Sequence, residues 1–300
     1  MIPWRWSLVL LACAPGLQAH HEPGVTIAKL DEQIQRTPEL AELYYQRGVE
    51  YQAMNQLDKA RADYLQALKL KPDFLPAKRS VAAVDYQSGK LEQALEELRT
   101  ALTNVPKEHA FLLPGCRQLE GEILLAMQQP EAALTALELA LDTPFPELAT
   151  WQLRAEAQRL AGKKDESIAG LKSAWEKSHA IILRNAWIDA LLDADQTKEA
   201  LPIIETELAS SRFRSSWLIR RARATATSNP AASQADLTAA IEELTPRLAI
   251  DPPPTTLLCD RALAYALLGK RDLAEADYQL AKSRGASGAN LRLLSKTLSR

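Results

Sequence analysis

The stretch Tyr44-Tyr45-Gln46-Arg47-Gly48-Val49-Glu50-Tyr51, then a break near Asn55, a run from Leu57 to Leu70 and Pro72, decides how this chain is read. Gly48, Ala60, Tyr64, Ala67 and Pro72 mark positions that return thirty-four residues later as Ala82, Ala94, Leu98, Ala101 and Pro106. Pro38 precedes Pro72 by the same interval. Ala60, Tyr64 and Ala67 are spaced i, i+4, i+7, which is one stripe of a helix. Gly48 and Ala60 lack bulk where two antiparallel helices would approach most closely, and Tyr44, Tyr51 and Tyr64 would fill the space beside that contact. Proline then closes the unit because it cannot continue a helix. A fixed period of this length means stacked copies of one supersecondary unit.

Further copies follow along the chain. A second carries Ala82, Gly89, Ala94, Leu98, Ala101 and Pro106. Five extra residues between Pro106 and Gly115 displace the third, which resumes with Gly121, Ala133, Leu137 and Ala140. The fourth has Trp151, Ala155, Gly162, Ser167, Leu171 and Ala174; the degenerate fifth has Ile188, Ala200, Ile204 and Glu207. The sixth starts at Trp217, carries an insertion around Ser228-Asn229-Pro230 and recovers at Ala240, Leu244 and Pro252. The seventh is clear again, with Ala262, Tyr265, Gly269, Ala274, Tyr278 and Ala281. Gly89, Gly162 and Gly269 fall at one slot between the two helices of a unit, with Asn55 and Asp195 in the same slot elsewhere. These residue types best tolerate the left-handed backbone that ends a helix.

On Tyr44, Gly48, Tyr51, Ala60, Tyr64, Ala67 and Pro72 the chain resembles the tetratricopeptide repeat (TPR) family, over about residues 38–285. The expected architecture is all-α: a TPR-type α-α superhelical solenoid of about seven antiparallel helix pairs with capping helices at both ends. The units fall at about 41–74, 75–108, 114–147, 148–180, 181–211, 214–254 and 255–285. Residues 20–37 supply a tail and a first cap, in which Ile27, Leu30 and Ile34 share a face. Residues 286–300 supply the last cap, with Leu291, Leu294 and Leu298 on one face and Arg292, Lys296 and Arg300 on another. A helix lying on a membrane surface has a similar pattern, but terminal units of a solenoid need one polar face.

The resemblance implies a non-catalytic scaffold that binds a protein or peptide through a concave groove lined by the first helix of each pair. Mapped onto this sequence, the groove candidates are Tyr45, Gln52, Arg79, Tyr86, Gln118, Glu122, Gln152, Glu156, Arg159, Asn185 and Asp189. Chaperone-binding members grip a terminal carboxylate with an ordered lysine and asparagine set. The first two units place Tyr45, Val49, Arg79 and Ala83 at those slots, which argues against that grip.

Formal net charge is −2, so no global field draws nucleic acid or an anionic membrane. One local exception lies between Leu208 and Ala235, where Arg212, Arg214, Arg220, Arg221 and Arg223 occur with no acidic residue. Arginine makes two-point contacts to carboxylate and phosphate groups. The segment reads either as a docking patch for an acidic partner segment or as a solvated helix whose arginines pair with acidic residues of neighbouring units.

The start of the chain has the order of a secretory signal. Arg5 precedes the apolar run Ser7-Leu8-Val9-Leu10-Leu11-Ala12-Cys13-Ala14, and a small residue, Ala19, ends it. Residues 1–19 are read as a signal peptide, and the protein as exported, periplasmic or otherwise extracytoplasmic in a bacterium. Leu10-Leu11-Ala12-Cys13 also looks like a lipobox, which would leave the protein lipid-anchored at Cys13. No later segment has the roughly 20 apolar residues of a spanning helix. Cys116 and Cys259 lie about four units apart, too far for one disulfide, and are expected as buried thiols.

Nucleotide, hydrolase and metalloprotease signatures (GxGxxG, Walker-type, GxSxG, HExxH, CxxC) do not occur. No cofactor is expected. His20 and His21 would stand at the new N-terminus, where they form a weak candidate metal site or a polar tail. His109 and His179 are isolated near unit boundaries.

Overall fold

The computed structural model describes residues 23–103, 105–284, 286 and 289–298. All regular structure among them is helical. Residues 1–19, read above as a signal peptide and including Cys13, lie outside the described residues, as do His20, His21 and Arg300 and the side chains of Leu291, Arg292 and Lys296. The chain forms two compact units, one ending at Pro146 and one beginning at Glu147.

The first unit runs α1 (Pro23–Arg36), α2 (Ala41–Ala53), α3 (Leu57–Leu70), α4 (Leu75–Gln87), α5 (Leu91–Leu102), a 3-10 turn (Lys107–Leu112), α6 (Leu113–Ala126) and α7 (Pro130–Leu141). The five extra residues before the third repeat are absorbed in that 3-10 turn. The second unit holds α8 (Leu148–Leu160), α9 (Lys164–Ser178), α10 (Ile181–Asp193), α11 (Thr197–Ser210), α12 (Ser215–Thr225), α13 (Pro230–Arg247), α14 (Thr255–Leu267), α15 (Arg271–Ser283) and α16 (Ala289–Leu298). In each unit the pairs are a first helix and a second helix that fold back on each other.

The seams close on the small residues. Ala60, Ala94, Ala133, Ala200, Ala262 and Ala274 have no exposed surface, and neither have Tyr64, Leu98, Leu137 and Ile204 one turn further on. In the sixth repeat Ser233 and Leu237 hold these two slots, seven residues before the Ala240 and Leu244 read from the sequence, because the chain turns between α12 and α13 without an inserted residue. A methyl group on Gly48 would sit 2.6 Å from Tyr64 Cε1, and one on Gly121 would sit 2.5 Å from Leu137 Cγ. Where a serine replaces the alanine, its hydroxyl is satisfied within the seam. Ser167 Oγ donates to the Ala155 carbonyl at 2.9 Å, and Ser233 Oγ to the Ala222 carbonyl at 2.9 Å. A buried hydroxyl with a partner avoids the cost of an unsatisfied one.

The slot between paired helices is left-handed. Asn55, Gly89, Gly162, Asp195 and Gly269 have φ of 58°, 78°, 79°, 57° and 74°. Gln128 fills the slot in the third repeat at φ 59°, although glutamine is not a residue type that favours this conformation. The sixth repeat turns differently: the Asn229 side chain accepts from Ala232 N at 3.2 Å and caps α13.

A second recurring device ties the two helices of a pair together. Arg47 pairs with Asp63, Arg221 with Asp236 and Arg261 with Asp277, each through two guanidinium nitrogens at 2.6–2.8 Å. Each arginine immediately precedes the seam residue of the first helix (Gly48, Ala222, Ala262), and each aspartate precedes the large stripe residue of the second (Tyr64, Leu237, Tyr278). Two of these arginines also reach a carboxylate on the preceding helix, Arg47 to Asp31 at 2.6 Å and Arg221 to Glu205 at 3.2 Å.

Cys116 and Cys259 are unbonded and buried, and burial raises both thiols above their ordinary pKa. At the C-terminus, Leu294 and Leu298 are buried, and Arg271 Nη2 donates to the Leu298 carbonyl at 2.5 Å.

Candidate functional site

Backbone groups in a helix pair are satisfied within the helices, so chemistry belongs to the side chains on the surface of the pairs. In the first unit the first helices α2, α4 and α6 carry the sequence-chosen groove residues. Tyr45 is half-buried, its ring 5.6 Å from Tyr64 and 5.2 Å from Phe74. Gln52 accepts from the Tyr64 hydroxyl at 2.7 Å and donates to Gln87 Oε1 at 3.0 Å, which links α2 to α4. Arg79 Nε donates to the Gly115 carbonyl at 3.3 Å, linking α4 to α6. Tyr86 is half-buried on α4. Glu122 accepts from Gln118 one turn earlier at 3.0 Å. Each of these polar contacts still leaves hydrogen-bonding capacity.

The second unit is different in kind, because its first helices carry matched charges. On α8, Glu156 and Arg159 pair at 2.8 Å through both guanidinium nitrogens, which raises the Arg159 pKa. On α10, Asp189 receives Arg220 at 2.7 and 3.1 Å and Arg223 at 2.7 Å, and Asp193 receives Arg223 at 2.8 Å. Burial pushes the Asp189 carboxyl up, but the two arginines more than offset it and the net lies below the usual carboxylate value. Asn185 lies one turn earlier on α10 and its side-chain carbonyl has no hydrogen-bond partner.

The arginine-rich segment is therefore not an open positive surface. Arg220 and Arg223 are spent on α10, and Arg221 on Asp236 and Glu205. The solvated-helix alternative describes these three residues. Arg212 and Arg214 remain exposed, with Arg212 over the Phe213 ring at 5.4 Å and Arg247 over the same ring at 4.0 Å. Asp189 of the fifth-repeat groove set thus meets Arg220 and Arg223 of the sixth repeat, and Asp193 supplies the second counter-charge.

Sequence reasoning missed Asp193, which stands i+4 from Asp189 on the same helix face and could have been found by that spacing. It also missed Asp260 on α14. Burial holds Asp260 up at about 6, with Arg220 and Arg247 lowering it and Asp189 raising it. Among the described residues no group of three or more His, Cys, Asp or Glu side chains could hold a metal ion, and no helix is long and apolar enough to cross a membrane.

Helix pairs with small-residue seams at a thirty-four-residue interval define a helical-repeat scaffold. Residues 41–74 match the tetratricopeptide repeat family, and the fold of the chain is the tetratricopeptide repeat fold. Among solved structures, the chain is similar to a tetratricopeptide repeat protein from Parabacteroides merdae at 15% identity and a TM-score of 0.55, over 81% of this chain and 92% of that one. It is also similar to a chain of the APC/C hetero-tetramer Cut9-Hcn1, at 14% identity and a TM-score of 0.52, over 93% of this chain but only 46% of that one. A thermophilic tetratricopeptide repeat protein of Thermus thermophilus aligns at 22% identity, with a TM-score of 0.45, over 61% of this chain and 98% of that one. No curated protein matches the sequence.

Proposed function

We propose that this protein is a non-catalytic scaffold whose first-helix faces hold a protein or peptide partner. One observation carries this reading: in the first unit, three successive first helices carry Tyr45, Tyr86, Arg79, Gln52 and Glu122, all part-exposed and mixed in character. Aromatic residues and arginine are the side chains that anchor protein interfaces. In the second unit the equivalent charges are already paired, so that face contributes shape and hydrogen bonds more than net charge. An acidic partner segment would be met by the exposed Arg212 and Arg214. Site-specific photocrosslinking tests the reading. A benzophenone side chain at Gln118 or Gln152, on first helices, should capture partner in its native extract. One at Thr135 or Gln279, exposed on second helices, should not. Equal capture from both sets would overturn it.

We further propose export, with residues 1–19 removed as a signal peptide and the mature protein periplasmic or otherwise extracytoplasmic in a bacterium. The order of charge, apolar run and small residue at Ala19 supports this. The Leu10-Leu11-Ala12-Cys13 sequence favours a second form, a lipid-anchored envelope assembly factor acylated at Cys13. The mass of the mature N-terminus decides: unmodified His20 for the first, acylated Cys13 for the second, retained Met1 against both.

A further inference from the structure

One copy of the arginine–aspartate tie described above has its arginine and lacks its carboxylate. In the fourth repeat, Arg154 precedes the seam residue Ala155 on α8, as Arg47, Arg221 and Arg261 precede theirs. The aspartate's position, immediately before the stripe residue Leu171 on α9, is Gly170. The arginine has been kept and its carboxylate is missing.

The geometry confirms that the two positions correspond. A Cβ built on Gly170 would lie 3.8 Å from Arg154 Nη1, 3.9 Å from its Cζ and 3.7 Å from Gln158 Oε1. The guanidinium leans over the spot where the side chain of an aspartate would begin. It lies over the Trp151 ring at 5.6 Å. Its Nε is buried and has no hydrogen-bond partner. Arg154 and Gly170 are both part-exposed, and an incoming carboxylate must part the side chains that cover Nε to reach it. A guanidinium with an orphaned Nε–H suits an anion that accepts two parallel hydrogen bonds, and the group that fills this place in the other repeats is a carboxylate.

We propose that the gap at Gly170 is a subsite for a carboxylate supplied in trans by an aspartate or glutamate side chain of a protein partner, which completes in the complex the tie that other repeats close internally. This site lies between α8 and α9 and does not depend on the first-helix reading, so each can fail alone.

The test is a titration of the full chain labelled with ¹⁵N-arginine, following the Nε–H resonances, with Arg154→Gln identifying the peak. The probes are sodium acetate, at ionic strength held constant with chloride, and blocked Ala-Asp-Ala and Ala-Asn-Ala peptides. Acetate should move the Arg154 signal saturably while leaving that of Arg261, closed by Asp277, in place. Ala-Asp-Ala should saturate the shift at a concentration about tenfold lower, and Ala-Asn-Ala should not produce it. Gly170→Asp should abolish the response by filling the subsite from within, whereas Gly170→Ala, which adds no carboxylate, should keep it. No acetate-specific shift at Arg154, or an undiminished one in Gly170→Asp, would overturn the site. Equal potency of acetate and Ala-Asp-Ala would overturn the partner side chain as its occupant.

Discussion

Replacing glycine by alanine should have opposite signs at Gly48 and Gly170, although both lie inside helices. Alanine is the better helix former by about 1 kcal/mol, and this gain applies at both sites. At Gly170 the new methyl group meets its neighbours at 3.7–3.9 Å, ordinary contact, so the gain should survive. At Gly48 the methyl group would stand 2.6 and 2.8 Å from the Tyr64 ring and 3.2 Å from the Ala60 carbonyl. Neither neighbour can yield. Tyr64 has no exposed surface, its hydroxyl is tied to Gln52 at 2.7 Å, and the Ala60 oxygen is backbone. Overpacking of this kind costs about 1–3 kcal/mol, and the rigidity of the site puts it at the upper end. Gly48→Ala should therefore lose about 2 kcal/mol net and Gly170→Ala should gain about 1 kcal/mol. Hydrogen exchange read by mass spectrometry on peptides from residues 41–70 should show faster exchange in Gly48→Ala. Urea unfolding followed by tryptophan fluorescence reads Gly170→Ala, because Trp175 lies on the same helix and Trp151 on the helix paired with it. The cost of Gly48→Ala should shrink when Tyr64 is first cut to alanine, since the clash goes with the ring. A Gly48→Ala protein as well protected as the parent would refute the reasoning.

Gln128→Gly should raise stability by about 0.5–1 kcal/mol in chemical unfolding, because its φ of 59° is strained for glutamine and open to glycine. Asp189→Asn leaves Arg220 and Arg223 without their shared carboxylate and should cost about 3 kcal/mol at pH 7. Because its folded pKa is depressed, the contribution of Asp189 is present above about pH 4 and fades as pH falls further, so the variant and parent should converge in acid. Asp260 has the opposite sign. Its carboxyl is raised to about 6, so the folded state binds the proton more tightly, and stability should fall as pH rises from about 4 to 6. Asp260→Asn should flatten that limb and gain up to about 3 kcal/mol at pH 7.5 in denaturant titrations.

The repeat was legible because close helix approach admits only small residues. Gly48, Ala60 and their counterparts therefore had to appear at a fixed interval, and the turn glycines followed from a backbone angle that other residues adopt at a cost. The degenerate fifth repeat also forms its helix pair, since Ile188, Ala200 and Ile204 keep the apolar stripe although the aromatic residues are gone. Gln128 was not legible, because nothing local marks a glutamine as left-handed. The site was read less well for a different reason. A run of arginines in sequence carries no information about which carboxylates the fold places opposite it. Asp189 stands thirty-one residues before Arg220, and Asp236 fifteen after Arg221. The sequence placed these groups on the correct helices but could not show that they would cancel.

The central claim is that hairpins of helices close on small residues at a constant interval. Single cysteines placed at Ala60, Ala94, Ala133 and Ala274, in a background without the native cysteines, test it directly by alkylation under native conditions. Each should be strongly protected, while cysteines at the exposed neighbours Lys59, Gln93, Glu131 and Leu273 should label at the rate of an open thiol. Seam positions that label as fast as their neighbours would contradict the account.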